Sequence, residues 1–413
     1  MKTPLWSISV ICKNEEQSIL SMINSLKEYI SLGGEIVVVD TGSTDRTISV
    51  LESVGFKNDN NSKLRYEKVS SLFMFDVDSW LDEINARFVN ENDISFEASG
   101  KKVFNFGAAR RYAGSKCSND WVLSVDCDEV FSALDVAFIN NIIRTNDVQQ
   151  ISFVFRYKRP DGTNQSVTSR DKFYNKKFGD WKWVVHEQVK PFENVNMISV
   201  PDNILALDHF QHPAEHRNNY LLSMCIDVIE DENDQHLFWL GREMYFIGYY
   251  FSAINILTEY LDKYTSAWSA ERCMAALYIG DSYINLSKRS DISSEKIREY
   301  ETNGLSWYFK GVLYEKNFRE PWMKLANFHY SKKEFFLTSQ FISAALKIKN
   351  VAQTYMNDGS CYGSDPNIKL YISLYANRDK EKSYKVWKKT CLQFPLDQNI
   401  KGHIYLFGSK IRT

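Results

Sequence analysis

The sequence predicts an α/β domain on a mostly parallel, doubly wound sheet, followed by an all-helical repeat domain. Three observations predict it. The runs Trp6–Cys12 (WSISVIC), Glu35–Asp40 (EIVVVD) and Trp121–Val125 (WVLSV) are nearly all apolar, the pattern of strands covered on both faces. Segments with helical apolar spacing separate them, and strand–helix alternation favours a parallel sheet. Beyond about residue 216, β-rich runs give way to paired helical patterns. The expected division is 1–216 and 217–413, with an irregular insertion at about 58–102.

The elements follow in order. After the first strand, Glu15–Tyr29 carries helical spacing through Ile19, Met22, Ile23 and Leu26, and Gly33-Gly34 stops it. EIVVVD is the second strand. The next helix has Ser43 or Thr44 as its N-cap and Gly55 at its end. The insertion is polar (KNDNNSK), then aromatic and acidic (SLFMFDVDSWLDEI), with one short helix expected. Asn105–Lys116 reads as a helix carrying Arg110 and Arg111. Gln150–Arg156 and Gln165–Tyr174 alternate like antiparallel strands around Pro160-Asp161-Gly162. In the second half, Leu240-Gly241 with Ala253, Ile279-Gly280 with Tyr283, Trp322 with Leu325 and Ala326, then Ala345 and Pro395 fall at degenerate tetratricopeptide spacing. Each such helix pair needs its neighbour to bury its apolar face.

Composition bounds the function. The chain has 413 residues, 44% hydrophobic, a formal net charge of -2 and a pI near 6.4. That balance excludes a global field for nucleic acid or anionic membrane, leaving only local basic pairs such as Lys101-Lys102 and Arg110-Arg111. No apolar run approaches the roughly 18 residues of a membrane span. The N-terminal stretch turns polar too soon for a secretory signal. Seven cysteines without a CxxC pair read as reduced thiols in a cytoplasm.

The chemistry gathers where strands end. Trp121–Phe131 reads WVLSVDCDEVF, with Asp126, Asp128 and Glu129 closing a buried strand. Asp40 closes another. Ligands of open α/β sheets bind beyond the carboxyl ends of the strands. Asp126 and Asp128 are two apart, so on an extended chain they share a face and can grip one hard cation. The bland reading is solvated acids at a turn.

ISVICKNEE, IVVVDTGSTDRT and NFGAARRYAGSKCSNDWVLSVDCDEVF together resemble a family 2 glycosyltransferase of the GT-A fold. FGDWKWVVHEQV is similar to the W-x-x-x-V-H-E element of the subgroup with bacteriocin S-glycosyltransferases and lipopolysaccharide-core glucosyltransferases. DHFQHPAEHRNNYLL resembles its junction into a tetratricopeptide domain.

The resemblance implies a hexosyl- or pentosyltransferase that uses a nucleotide-diphosphate sugar, a UDP-sugar foremost, with Mn²⁺ or Mg²⁺. It implies Asp126, Asp128 and His209 as metal ligands, and Glu15, Asp40, Arg110, Asp126 and Trp183 as donor-binding residues. Arg111 stands where the family has Asn. An inverting transfer needs a general base; Glu187 matches it, with His186 and Glu129 competing. Trp181 and Trp183 divide between sugar stacking and core. Asp45 divides between a helix-start residue and a ligand contact. His212 and His216 read as surface residues at a helix start.

The acceptor implied is a peptide, a protein or a cell-surface glycan, and a phage-type DNA base is an alternative. The repeat domain would bind peptide or support a homodimer. The rival from another class is a non-catalytic tetratricopeptide scaffold. The compartment expected is a bacterial cytoplasm, or the host's if the chain is phage-encoded.

Overall fold

The computed structural model describes residues 3–96, 100–145, 147–159, 161–210, 217–351, 354 and 356–407. The chain divides into two compact units, 1–84 with 96–231 and 85–95 with 232–413.

The first unit is an α/β sheet of strands β1 (Trp6–Cys12), β2 (Glu35–Asp40), β3 (Leu64–Lys68), β6 (Trp121–Val125), β7 (Glu129–Leu134), β8 (Gln150–Lys158), β9 (Asn164–Asn175), β12 (Met197–Ser199) and β13 (Leu205–Phe210). Two small ribbons complete it, β4 (Met74–Asp76) with β5 (Lys102–Phe104), and β10 (Gly179–Lys182) with β11 (Gln188–Pro191). The strand order is β3-β2-β1-β6-β9-β8-β13-β7, with β12 beside β8. The run β3-β2-β1-β6 is parallel, and β9 joins β6 antiparallel.

Period-two alternation builds the layers. Ile36 and Val38 join the core that holds Ile8, Val10, Ile19, Met22 and Leu26. Val37 and Val39 point into separate clusters on the opposite face, with Trp181 and with Ala109 and Ala113. Both faces of β2 are therefore dry, as its unbroken apolar sequence requires.

Helices α1 (Ile19–Ser25), α2 (Lys27–Ser31), α3 (Thr47–Ser53), α4 (Leu81–Phe88), α5 (Phe106–Lys116), α6 (Val136–Thr145) and α7 (Arg217–Glu230) follow in order. Three details differ from expectation. The first helical stretch is two helices meeting at Leu26. Helix α3 starts at Thr47, not Ser43 or Thr44, because Ser43 Oγ and the Thr44 amide are taken by Asn14. Part of the segment expected to be irregular forms β3, which extends the parallel sheet beside β2. Asn105 caps α5, accepting the Ala108 amide at 2.8 Å. Pro160, His212 and His216 lie outside the described residues.

The second unit is helical. Helices at Asp234–Ile247, Tyr250–Lys263, Ser269–Leu286, Ser294–Tyr314, Glu320–Ser331, Phe335–Lys347, Asp365–Ala376 and Lys380–Gln393 pack as successive neighbours. Small residues sit where helices cross: a Cβ on Gly241 would lie 2.5 Å from Leu257 Cγ, and one on Gly280 2.6 Å from the Tyr308 ring. Residues 85–95 belong to this unit, with Asp93 accepting the Ser252 amide and hydroxyl at 2.7 and 2.6 Å. No helix among the described residues is long and apolar enough to cross a membrane.

Candidate active site

The site is assembled at the carboxyl edge of the parallel strands. In the register of β1, Cys12 faces Asp40 and Val10 faces Val125, so Asp40 and Asp126 leave the sheet at one edge on either side of β1. Two strand spacings separate them, roughly 10 Å. Asp40 is 2% exposed and its Oδ1 accepts the Ser43 amide at 3.0 Å, which fixes the start of the 41–46 turn. Glu15 reaches the same edge: its amide donates to Thr47 Oγ1 at 2.7 Å, and its carboxylate takes the Ser18 hydroxyl. Asp45 accepts Thr47 N, Thr47 Oγ1 and Glu16 N at 2.9, 2.5 and 3.1 Å, so it staples the loop after β1 to the start of α3.

Arg110, on α5, joins the remaining acids. Its Nη2 lies 2.7 Å from Asp126 Oδ1, its Nε 2.6 Å from Glu187 Oε1, and its Nη1 donates to Ser124 Oγ at 3.1 Å. Trp181 lies under the guanidinium with its ring centroid 5.1 Å away. Burial works against the Arg110 charge, yet the two carboxylates raise its pKa well above the usual value. Arg110 is thus a buried bridge between protein acids, whereas the resemblance assigns it to the donor. Arg111 turns to the Trp181 carbonyl at 3.0 Å and to Asp180.

Lys172 on β9 supplies a second cation, which the sequence reading missed. Its Nζ lies 2.5 Å from Glu129 Oε1 and 3.4 Å from Asp126 Oδ2. Asp126 is held well below the usual carboxylate range: burial opposes this, but Arg110 and Lys172 outweigh it. Glu129 is buried and also accepts the Asp126 amide at 3.0 Å. Burial and the Asp126 charge push it up to about 7 against the pull of Lys172. Glu129 therefore clips the turn after β6. A lysine inside the alternating strand Gln165–Tyr174 was the available signal for Lys172.

The residues that the resemblance assigns to a metal, Asp126, Asp128 and His209, take protein partners here. Asp126 is neutralised by its two cations, and residues 126–128 form a turn, not extended chain. Asp128 Oδ2 instead meets His209 Nε2 at 2.9 Å. Among the described residues, no three His, Cys, Asp or Glu side chains gather to hold an ion. The Asp128–His209 pair does offer one carboxylate and one imidazole, a donor set that fits Mn²⁺ or Mg²⁺ taking its other ligands from phosphate and water. His209 Nδ1 is buried without a hydrogen-bond partner among the described residues, so no second bond locks the ring. Burial lowers the His209 pKa, but the bond and charge of Asp128 raise it overall, so a metal would compete with a proton there.

The Trp183–Glu187 turn carries the base candidates. Trp183 and His186 have φ of 74° and 51°, left-handed conformations that bulky residues adopt only when their surroundings impose them. The Phe106 amide donates to the Val184 carbonyl at 2.8 Å, docking the turn on the start of α5. Trp181 is 3% exposed and belongs to the core. The Trp183 indole donates to Asp231 at 2.7 Å, and Lys190 lies 4.6 Å above its ring.

Residues 7–68 match the family model described as Glycosyl transferase family 2. The SPbeta prophage-derived glycosyltransferase SunS of Bacillus subtilis (strain 168) is 22% identical over 277 residues, 63% of this chain and 54% of that protein. An uncharacterized glycosyltransferase of Rickettsia typhi is 28% identical over 183 residues, 42% of this chain and 48% of that protein. The chain spans about half the length of these relatives. The crystal structure of S. aureus TarS 1-349 in complex with UDP-GlcNAc covers 73% of this chain and 91% of that one, at a TM-score of 0.39 and 16% identity.

Proposed function

We propose that this chain, which carries a family 2 glycosyltransferase region at residues 7–68, moves a sugar from a nucleotide-diphosphate donor to an acceptor hydroxyl or thiol with inversion. The observation that carries the reading is the Arg110 bridge. It ties Asp126, at the strand-terminal edge, to Glu187, on the turn that sequence reasoning chose for the base.

In this mechanism Glu187 takes the acceptor's proton as its oxygen or sulfur attacks the anomeric carbon. The bond from that carbon to the diphosphate oxygen breaks, and nucleoside diphosphate leaves. Arg110 fixes the Glu187 carboxylate through Oε1. Asp40 and Glu15, at the same edge, are the candidates for contact with the nucleoside. Asp128 and His209 would hold Mn²⁺ or Mg²⁺, whose chemistry there is to neutralise charge on the departing diphosphate.

A peptide, a protein or a surface glycan is the acceptor class we favour, because stacked helix pairs suit extended partners. Incubation with a panel of nucleotide sugars and Mn²⁺, following nucleoside diphosphate release, tests the activity. Mass spectrometry of co-expressed peptide, lipid and DNA then identifies the acceptor. Binding of neither nucleotide nor metal would replace this reading with the scaffold.

A further inference from the structure

Helix α7 was expected to open the helical domain, yet it packs on the α/β unit. Its tyrosine Tyr220 stacks on Phe106 with centroids 5.8 Å apart. Two turns further on, an acid interrupts the apolar run MCIDVIE. That acid, Asp227, is 2% exposed. Its Oδ1 accepts the Val184 amide at 2.7 Å and its Oδ2 the Val185 amide at 3.0 Å. Four residues on, Asp231 holds the Trp183 indole.

We propose that Asp227, aided by Asp231, is a positioning residue that clamps the Trp183–Glu187 turn and so aims Glu187 at the reacting centre. The argument starts from the backbone. Two non-glycine residues with left-handed φ, Trp183 and His186, flank Val184 and Val185, and such backbone persists only where outside bonds over-determine it. The amides of Val184 and Val185 are buried donors that need acceptors. A single carboxylate satisfies both, and its two oxygens fix the orientation of two successive peptide planes. The Phe106 amide holds the opposite side of the turn through the Val184 carbonyl. Glu187 then arrives within 2.6 Å of Arg110. Burial raises the Asp227 carboxyl to about 7 although both amides pull it down, so keeping an acid here costs more than an apolar side chain would. A leucine would pack this helix face more cheaply, but it could not accept two amides.

The proposal rests on Glu187 acting in glycosyl transfer, and the test separates the two. Asp227→Asn, Glu187→Gln and the double variant are compared for kcat, donor KM and amide exchange over residues 181–188. A carboxamide offers one acceptor where two are needed. Asp227→Asn is expected to lower kcat on the order of tenfold to a hundredfold, the scale of a small misplacement, with donor KM nearly unchanged. In the Glu187→Gln background it should lower kcat no further. Exchange at Val184 and Val185 should quicken with Asp227→Asn and stay at the wild-type rate with Glu187→Gln. Wild-type turnover and exchange in Asp227→Asn, or losses that multiply in the double variant, would overturn the clamp. A fully active Glu187→Gln would instead remove the base assignment, and exchange would still judge the clamp. If Asp227→Asn does not fold, Asp231→Ala carries the test: a several-fold kcat loss at unchanged Tm supports the clamp, and wild-type kcat refutes it.

Discussion

Arg110 Nε lies 2.6 Å from Glu187 Oε1, joining a helix of the first half of the sheet to a turn 77 residues later. The same guanidinium reaches Asp126 at 2.7 Å, so one buried cation sets the spacing between two acids that leave different elements of the fold. A planar fork can hold two carboxylates at fixed directions, and an ammonium cannot.

Arg110→Lys should therefore cut turnover on the order of a hundredfold while keeping the charge. Circular dichroism should show the fold intact. Unchanged nucleoside diphosphate release would mean that the bridge is structural alone.

Gly107 faces the Trp183–Glu187 turn in close approach. A Cβ there would sit 2.1 Å from the Trp183 carbonyl oxygen, which is backbone and cannot swing aside. Gly107→Ala should displace the turn, destabilise the unit by about 1–3 kcal/mol and reduce turnover. Gly114→Ala, on the same helix, meets only the Tyr174 hydroxyl at 2.8 Å and should be milder. Thermal melts paired with turnover separate the two. Equal effects would rule out a special role for the turn.

The Asp128–His209 pair predicts a metal requirement localised to two residues. Asp128→Asn or His209→Ala should raise the half-saturating Mn²⁺ concentration by roughly tenfold or more. Chelation should abolish release in the wild type, and Mn²⁺ titration measures the shift. The assignment fails if both variants titrate like the wild type.

At the other edge of the sheet, Glu35 is 2% exposed, pairs with Arg65 at 2.7 Å and accepts the Ser118 amide at 2.8 Å. Burial alone would raise its pKa, but bonds from Ser7, Arg65 and Ser118 bring it below the ordinary 4.5. A depressed folded pKa contributes stability that is present above the unfolded value and lost as pH falls through the folded one. The loss is thus expected below about pH 4.5. Glu35→Gln should flatten that acid slope and cost about 3 kcal/mol at neutral pH by stranding the Arg65 charge. Melting temperature against pH, from 3 to 7, reads both effects; a parallel slope in the variant would refute the assignment.

The strands of the parallel sheet were readable because burial on both faces leaves an unbroken apolar run, which β1, β2 and β6 all carry. Strand β3 was not, since LRYEK is an edge strand with charged residues and a polar loop before it. The Asp128–His209 contact was half readable. Both residues were named, but the pairing of β13 with β7, which sets His209 opposite Glu129, was needed to bring His209 to Asp128. Lys172, beside Arg170 and Asp171 in β9, and Asp227, within the stretch MCIDVIE of α7, were missed because a charge takes its meaning from what faces it across the fold.

Chain order and local pattern were enough for the two fold classes, the strand ends that carry acids, and the residues from which a site can be built. Folding alone chose their partners: Arg110 for Asp126 and Glu187, Lys172 for Glu129, and Asp227 for the Val184 and Val185 amides. The reason is range. Apolar periodicity reports an environment averaged along a few neighbouring residues, whereas charge pairing joins groups that lie 16, 43 or 77 positions apart and depends on distances of a few ångströms.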